Sequence, residues 1–173
     1  MIRTAVITAL ALALPTVAAA TEPYEGYYVS VDDGTDAPRG LIELARNGAG
    51  ELEGFIRGSF IAGEDPRRMC DVCEGELEGA SLLGLRILHG LEEKDGGLKW
   101  KGGRITDPDN GKTYKSKLEF EPDYSSVKVR GYIGTPALGR SQRWQRATPS
   151  DIATVNASLA AFGIAPIVLE PTA

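Results

Sequence analysis

Imidazole and thiol are scarce in this chain: His89 is the single histidine among 173 residues, and Cys70 and Cys73 are the two cysteines. One histidine leaves few routes to acid-base or nucleophilic catalysis, and no base partner is placed near it by sequence. A four-ligand zinc site fails for lack of a second cysteine pair, and haem attachment fails because Glu74 stands where that motif requires histidine. No Gly-x-Ser-x-Gly elbow surrounds any serine, so nucleophilic hydrolysis has no support. Basic residues are also in deficit, with 19 Lys and Arg against 24 Asp and Glu and a net charge of −5. That balance, without a dominant basic stripe, argues against a dedicated nucleic-acid binder. The 21 glycines and 10 prolines are too aperiodic for collagen. Beyond the first twenty residues no apolar run approaches the roughly 20 residues that a spanning helix needs.

What is present begins with an export signature. Arg3, an apolar run from Ala5 to Leu14, Pro15, and Ala18-Ala19-Ala20 before Thr21 have the layout of a secretory signal peptide cleaved after Ala20. No cysteine follows the small residues, so lipoprotein anchoring by that route is unsupported. The expected product is a periplasmic or secreted protein. In an oxidising compartment Cys70-Asp71-Val72-Cys73 most simply forms a local disulfide that stiffens a loop. The redox alternative needs a helix start beside a βαβ unit, whereas this pair follows the loop sequence Gly63 to Met69. Glu74, Glu76 and Glu78 would also raise a nearby thiol pKa.

Period-two alternation dominates the mature chain. Tyr114, Ser116, Leu118 and Phe120 fall on one face, with Lys115, Lys117, Glu119 and Glu121 on the other. Val127, Val129, Gly131 and Ile133 alternate with Lys128, Arg130 and Tyr132, and Arg140 to Arg146 alternates around Trp144. Tyr24 to Val31, Leu41 to Ala45, Glu51 to Phe60, Leu82 to Leu91 and Leu98 to Ile105 complete eight strand candidates. Turn sequences such as Asn47-Gly48 and Asp107-Pro108-Asp109-Asn110-Gly111 separate them, which predicts an all-β sandwich or barrel. The last turn does not fit an EF-hand: from Asp107, Gly111 falls fifth and Leu118 twelfth, where glycine should be sixth and glutamate twelfth.

One helix is predicted, and it comes last. Thr148-Pro149-Ser150-Asp151 supplies a cap, a first-position proline and a first-turn carboxylate, ahead of a stripe of Ile152, Val155, Leu159 and Phe162. The stripe either packs on the β domain or receives a partner. Ile164 to Leu169 reads as an edge strand or a docked tail. The expected organisation is a signal peptide over 1–20, a β domain over 21–146, and a helix and tail over 147–173.

Charge is segregated. Residues 21–95 hold 17 acids and 7 bases, whereas residues 96–146 hold 5 acids and 11 bases. The basic half either holds an anionic head group or attracts the acidic half across paired strands.

Three ordered motifs carry a family resemblance: Trp100-x-Gly102-Gly103-x-Ile105-x-Asp107-Pro108-x-x-Gly111-Lys112-x-Tyr114, then Val127-x-Val129-Arg130-Gly131-Tyr132-Ile133-Gly134, then Gly139-Arg140-x-x-x-Trp144-x-Arg146. Together with the CxxC loop and Gly84-Leu85-x-Ile87-Leu88-x-Gly90-Leu91, they resemble a family of secreted bacterial proteins, domain-of-unknown-function family 2147, over roughly Gly26 to Arg146. The resemblance implies a periplasmic, lipocalin-like, calycin-type barrel of eight antiparallel strands, with a small-ligand cavity and no established enzymatic activity. Two departures stand out. Gly26-Tyr27-Tyr28 replaces the Gly-x-Trp favoured on the first strand, and the helical tail is additional. Arg146 corresponds to the arginine that packs over the first-strand aromatic, here Tyr28, in a cation-π contact.

Tyr28, Trp100, Tyr114, Tyr132 and Trp144 carry the rings suited to an apolar pocket with polar edges, although such residues are more often core than ligand contacts. Arg130 is the charged candidate, although alternation opposite Val129 turns it towards solvent. The expected function is non-enzymatic binding of a small apolar or amphipathic ligand inside the barrel, with no cofactor, metal or catalytic residue assigned. The alternative is an envelope protein-protein interaction module with a filled barrel, acting through its surface, the CxxC loop or the C-terminal helix.

Overall fold

The computed structural model describes residues 22–169. The predicted signal peptide lies outside the described residues. Eight strands follow one another: β1 Gly26–Val31, β2 Pro38–Arg46, β3 Leu52–Ser59, β4 Arg86–Asp95, β5 Lys99–Thr106, β6 Thr113–Phe120, β7 Ser126–Tyr132 and β8 Gly139–Arg146. Each pairs antiparallel with the next, and β8 returns to β1 to close the barrel through Tyr28 opposite Arg146 and Val29 opposite Gln145. Eight strands enclose a space that side chains fill or that holds one small ligand.

Alternation sets the two faces. On β6 and β7, Ser116, Leu118, Phe120, Val127 and Val129 are buried inside, while Lys115, Glu119 and Lys128 are exposed. Short polar turns make the hairpins. Asn47 accepts hydrogen bonds from the Ala49 and Glu51 amides through its side-chain oxygen, and Asp123 accepts from the Ser125 amide and hydroxyl.

Strand β4 is displaced from its expected span. Leu82 and Leu85 are buried but belong to the long β3–β4 loop, where Gly84 adopts φ 87° and turns the chain before pairing resumes at Arg86. At its other end β4 runs on through Glu92 to Asp95. Those residues are all exposed and so carry no apolar alternation to reveal a strand. Within the loop, Cys70 and Cys73 are joined by a disulfide and are both buried.

The helix α1, Pro149–Ala161, starts at the predicted Thr148–Asp151 capping box. Its buried stripe, Ile152, Val155 and Leu159, covers Val29 and Leu41, which face each other on the outside of β1 and β2. Phe162 ends the helix and is only half-buried. The segment after it is a docked tail rather than an edge strand. The Asn156 side chain accepts from the Ile167 amide at 2.8 Å and donates to its carbonyl at 3.0 Å.

Gly58 on β3 is what lets the helix approach. A Cβ there would lie 2.3 Å from Val155 Cγ1. Gly58→Ala should therefore cost about 1–3 kcal/mol by overpacking. Combining it with Val155→Ala should cost at least about 0.5 kcal/mol less than the two single losses added, read by urea denaturation. Strict additivity would mean that the helix is not seated on β3 as described.

Candidate functional site

The interior is filled at one end and hollow at the other. At the filled end Trp100, Tyr28 and Phe120 meet Tyr24 and Tyr124, with Tyr24 edge-on to Trp100 at 5.0 Å and Tyr28 edge-on to Phe120 at 5.9 Å. Trp100 donates its indole N–H to the Gly97 carbonyl at 2.9 Å. Arg146 closes this end. Its guanidinium carbon sits 5.0 Å from the Tyr28 ring centre, and it donates to the Tyr28 hydroxyl at 2.8 Å and to the carbonyls of Tyr124, Glu25 and Pro23. Burial pushes the Tyr28 phenol up to about 12, against the opposing pull of Arg146.

Above this plug lies a cavity of about 750 Å³. Its wall is apolar where Ile42, Ile56, Ile87, Ile105, Val129 and Trp144 point inward. Polar side chains share the lining: Ser30, Ser59, Thr106, Tyr114 and Gln142 reach it from different strands, the last accepting the Trp144 indole N–H at 2.7 Å. A pocket with apolar walls and a few convergent polar groups is the ordinary form of a small-molecule site.

The rim is charged and internally paired. Arg39 reaches Asp109 at 2.5 Å and Asp32 at 3.6 Å, tying the β1–β2 and β5–β6 loops together. Arg68 lies 2.6 Å from Glu64 and 3.8 Å from Asp109, which adds the β3–β4 loop. Arg140 on β8 pairs with Asp33, and Gln142 donates to the same carboxylate at 2.7 Å. Hydrogen bonds from Thr35 and Gly34 hold the Asp32 carboxyl below the usual carboxylate range. The disulfide loop lies directly on the β5–β6 turn: a Cβ on Gly111 would fall 1.6 Å from the Val72 carbonyl oxygen.

The six residues expected to contact a ligand divide between these regions. Tyr114, Tyr132 and Trp144 line the cavity. Tyr28 and Trp100 are fully buried in the aromatic plug instead, because their strands place them at the closed end. Arg130 points outward, donating to the Pro136 and Ala137 carbonyls and to the Ser141 hydroxyl. His89 is half-buried, and desolvation together with Arg86 and Arg104 lowers its pKa. Among the described residues no group of three His, Cys, Asp or Glu side chains is placed to hold a metal ion.

Sequence reading missed the isoleucine wall and the rim pairs. Inward parity signals Ile42 and Ile56, but a bulge at Lys101-Gly102 shifts the parity of β5 and brings both Trp100 and Ile105 inside. Arg39 and Asp109 are 70 residues apart, and only closure brings them together.

With this geometry in hand, a family model described as "Uncharacterized protein conserved in bacteria (DUF2147)" matches residues 26–146. The chain belongs to this family. The matched span runs from the first residue of β1 to Arg146, so the family signature coincides with the closed barrel and its sealing arginine. A solved Helicobacter pylori protein described as belonging to the lipocalin family superposes with a TM-score of 0.63 at 16% identity, over 84% of this chain and 92% of that one. The family barrel in this chain is therefore lipocalin-like in fold. No curated protein matches the chain.

The plug makes two predictions. Tyr28 is raised from an ordinary 10.0 to about 12, so its stabilising contribution is complete below pH 10 and is lost as pH rises towards 12. Tyrosinate absorbance should show a late phenol step near pH 12 that coincides with loss of near-ultraviolet dichroism, whereas early, silent ionisation of every phenol would contradict a buried plug. Arg146→Ala should cost about 2–4 kcal/mol by leaving several half-buried acceptors unpaired and uncovering the Tyr28 ring, and Arg146→Lys should recover only part of that loss. An unchanged denaturation midpoint in Arg146→Ala would remove the arginine from this role.

Proposed function

We propose that this protein is an exported, non-enzymatic binder that holds one small amphipathic molecule in the hollow half of the barrel. The observation that carries the reading is the cavity of about 750 Å³, apolar in its walls and charged at its rim. In this reading the apolar part of the ligand lies among Ile42, Ile56, Ile87, Ile105 and Val129, beside Tyr114 and Trp144. Its polar end reaches Gln142, Arg39 and Arg140. Tyr28 and Trp100 contribute by closing the floor rather than by touching the ligand.

Export is supported by the amino-terminal pattern ending at Ala20 and by the disulfide, a bond at home in oxidising compartments. No described helix is long and apolar enough to cross a membrane. The alternative, a partner-binding module, has less to draw on at the C-terminal helix, whose apolar stripe is already covered by β1 and β2.

Native mass spectrometry of gently purified protein, with titration of the apolar fluorophore N-phenyl-1-naphthylamine, tests the reading. A stoichiometric small molecule or saturable one-to-one uptake is expected. Ile56→Trp, which fills the cavity from β3, should weaken uptake about 10-fold or more while the fold survives by circular dichroism. A clean unliganded mass without uptake, or uptake unaltered in that variant, would sink the proposal.

A further inference from the structure

The outer face of β5–β8 is cationic in a way that the fold does not require. Cross-strand register sets Arg104 opposite Lys115, Lys117 opposite Arg130, and Lys128 opposite Arg143. Like charges directly opposite one another on a sheet repel. Arg143 is relieved by Glu121, and Lys99 and Arg140 also have carboxylate partners. Arg104, Lys115, Lys117 and Lys128 form no ion pair among the described residues, and Glu119, opposite Lys128 on β7 and Lys99 on β5, is the one carboxylate set among them. Lys117, Glu119, Lys128 and Arg130 surround a shallow depression of about 210 Å³ on this face.

A second feature adjoins it. The β7–β8 loop at the mouth exposes Ile133 and Leu138 to 67% and 76%. Arg130 joins the loop to the cationic face by donating to the Pro136 and Ala137 carbonyls. Both Ile133 and Leu138 also stand at the entrance to the cavity. A soluble polyanion would use the cations and gain nothing from two bare aliphatic side chains. An anionic lipid surface uses both, since cations gather at its head groups while aliphatic side chains enter the acyl boundary.

We propose that the outer face of β5–β8 and the β7–β8 loop dock the barrel side-on to an anionic lipid bilayer. The acid excess of residues 21–95 lies mainly in the β1–β2 and β3–β4 loops, from Asp32 to Asp36 and from Glu64 to Glu78, over the half of the barrel that side-on docking turns away from the lipid.

Flotation of the mature chain, residues 21–173, with phosphatidylglycerol vesicles and separately with phosphatidylcholine vesicles tests this. Binding is expected to the first and not the second, and raised sodium chloride should reverse it. Each lysine near the surface carries about a 5-fold share of such partitioning, so Lys117→Gln with Lys128→Gln should weaken it about 30-fold. Ile133→Ser with Leu138→Ser should weaken it about 10-fold or more. Equal binding to both vesicles, binding to neither, or capture by heparin alone overturns the proposal. Full binding by the Ile133 and Leu138 variant overturns the part assigned to the β7–β8 loop. Fluorophore uptake by Lys117→Gln/Lys128→Gln, measured without vesicles, is expected to match the parent, so failure of docking and failure of the cavity reading are told apart.

Discussion

Closure at Arg146 is the constraint on which the rest of the barrel depends. The seam between β1 and β8 is short, and one of its register pairs is Tyr28 opposite Arg146 itself. The guanidinium lies over the Tyr28 ring and donates to acceptors from the amino-terminal segment, the β6–β7 turn and β1. A planar group with five donors can satisfy several converging acceptors at once, which an ammonium on a flexible stem cannot do with the same geometry. The seam is thus held by a side chain where backbone pairing is sparse. Below it Tyr24, Trp100, Phe120 and Tyr124 fill the barrel to its floor.

A filled floor is what permits a hollow upper half. Eight strands held open without contents would lose packing on both sides of their inner residues, so the rigidity has to come from one end. At the other end the rim is held by ion pairs between side chains that are 29% to 66% exposed, and by a loop braced against the Gly111 turn. Pairs of that exposure contribute about 0–1 kcal/mol each, far less than burial of the aromatic plug. The molecule is therefore graded along its axis, firm where Arg146 closes it and looser where a ligand has to pass.

The grading explains which features were legible in the sequence. Alternation distinguishes inside from outside, and it identified the strands, the inward run Leu118, Val127 and Val129, and the outward turn of Arg130. It carries no information about height along the barrel axis, which depends on the stagger between strands. Tyr28 and Trp100 share an inward orientation with Tyr114 and Trp144, yet the first two occupy the plug and the last two face the cavity. The terminal helix was legible because its cap, proline and stripe are local signals. The rim was not, because Arg39 meets Asp109 and Asp33 meets Arg140 only after the barrel closes. The extra residue at the Lys101-Gly102 bulge also breaks the period that would have linked Trp100 to Ile105.

Charge segregation has a different physical meaning. Acid meets base at the two seams, with Asp33 against Arg140 beside the β1–β8 closure and Glu92 opposite Lys101 where β4 joins β5. These contacts account for attraction between the halves. They do not account for the middle of the basic half, where three cross-strand pairs carry like charge. In water at physiological salt each such pair costs only about 0.2–1 kcal/mol, which the inward Leu118, Val127 and Val129 readily offset. Folding thus tolerates the cationic face without deriving anything from it. Its effect lies in the field it presents beyond the surface, next to the loop that borders the cavity.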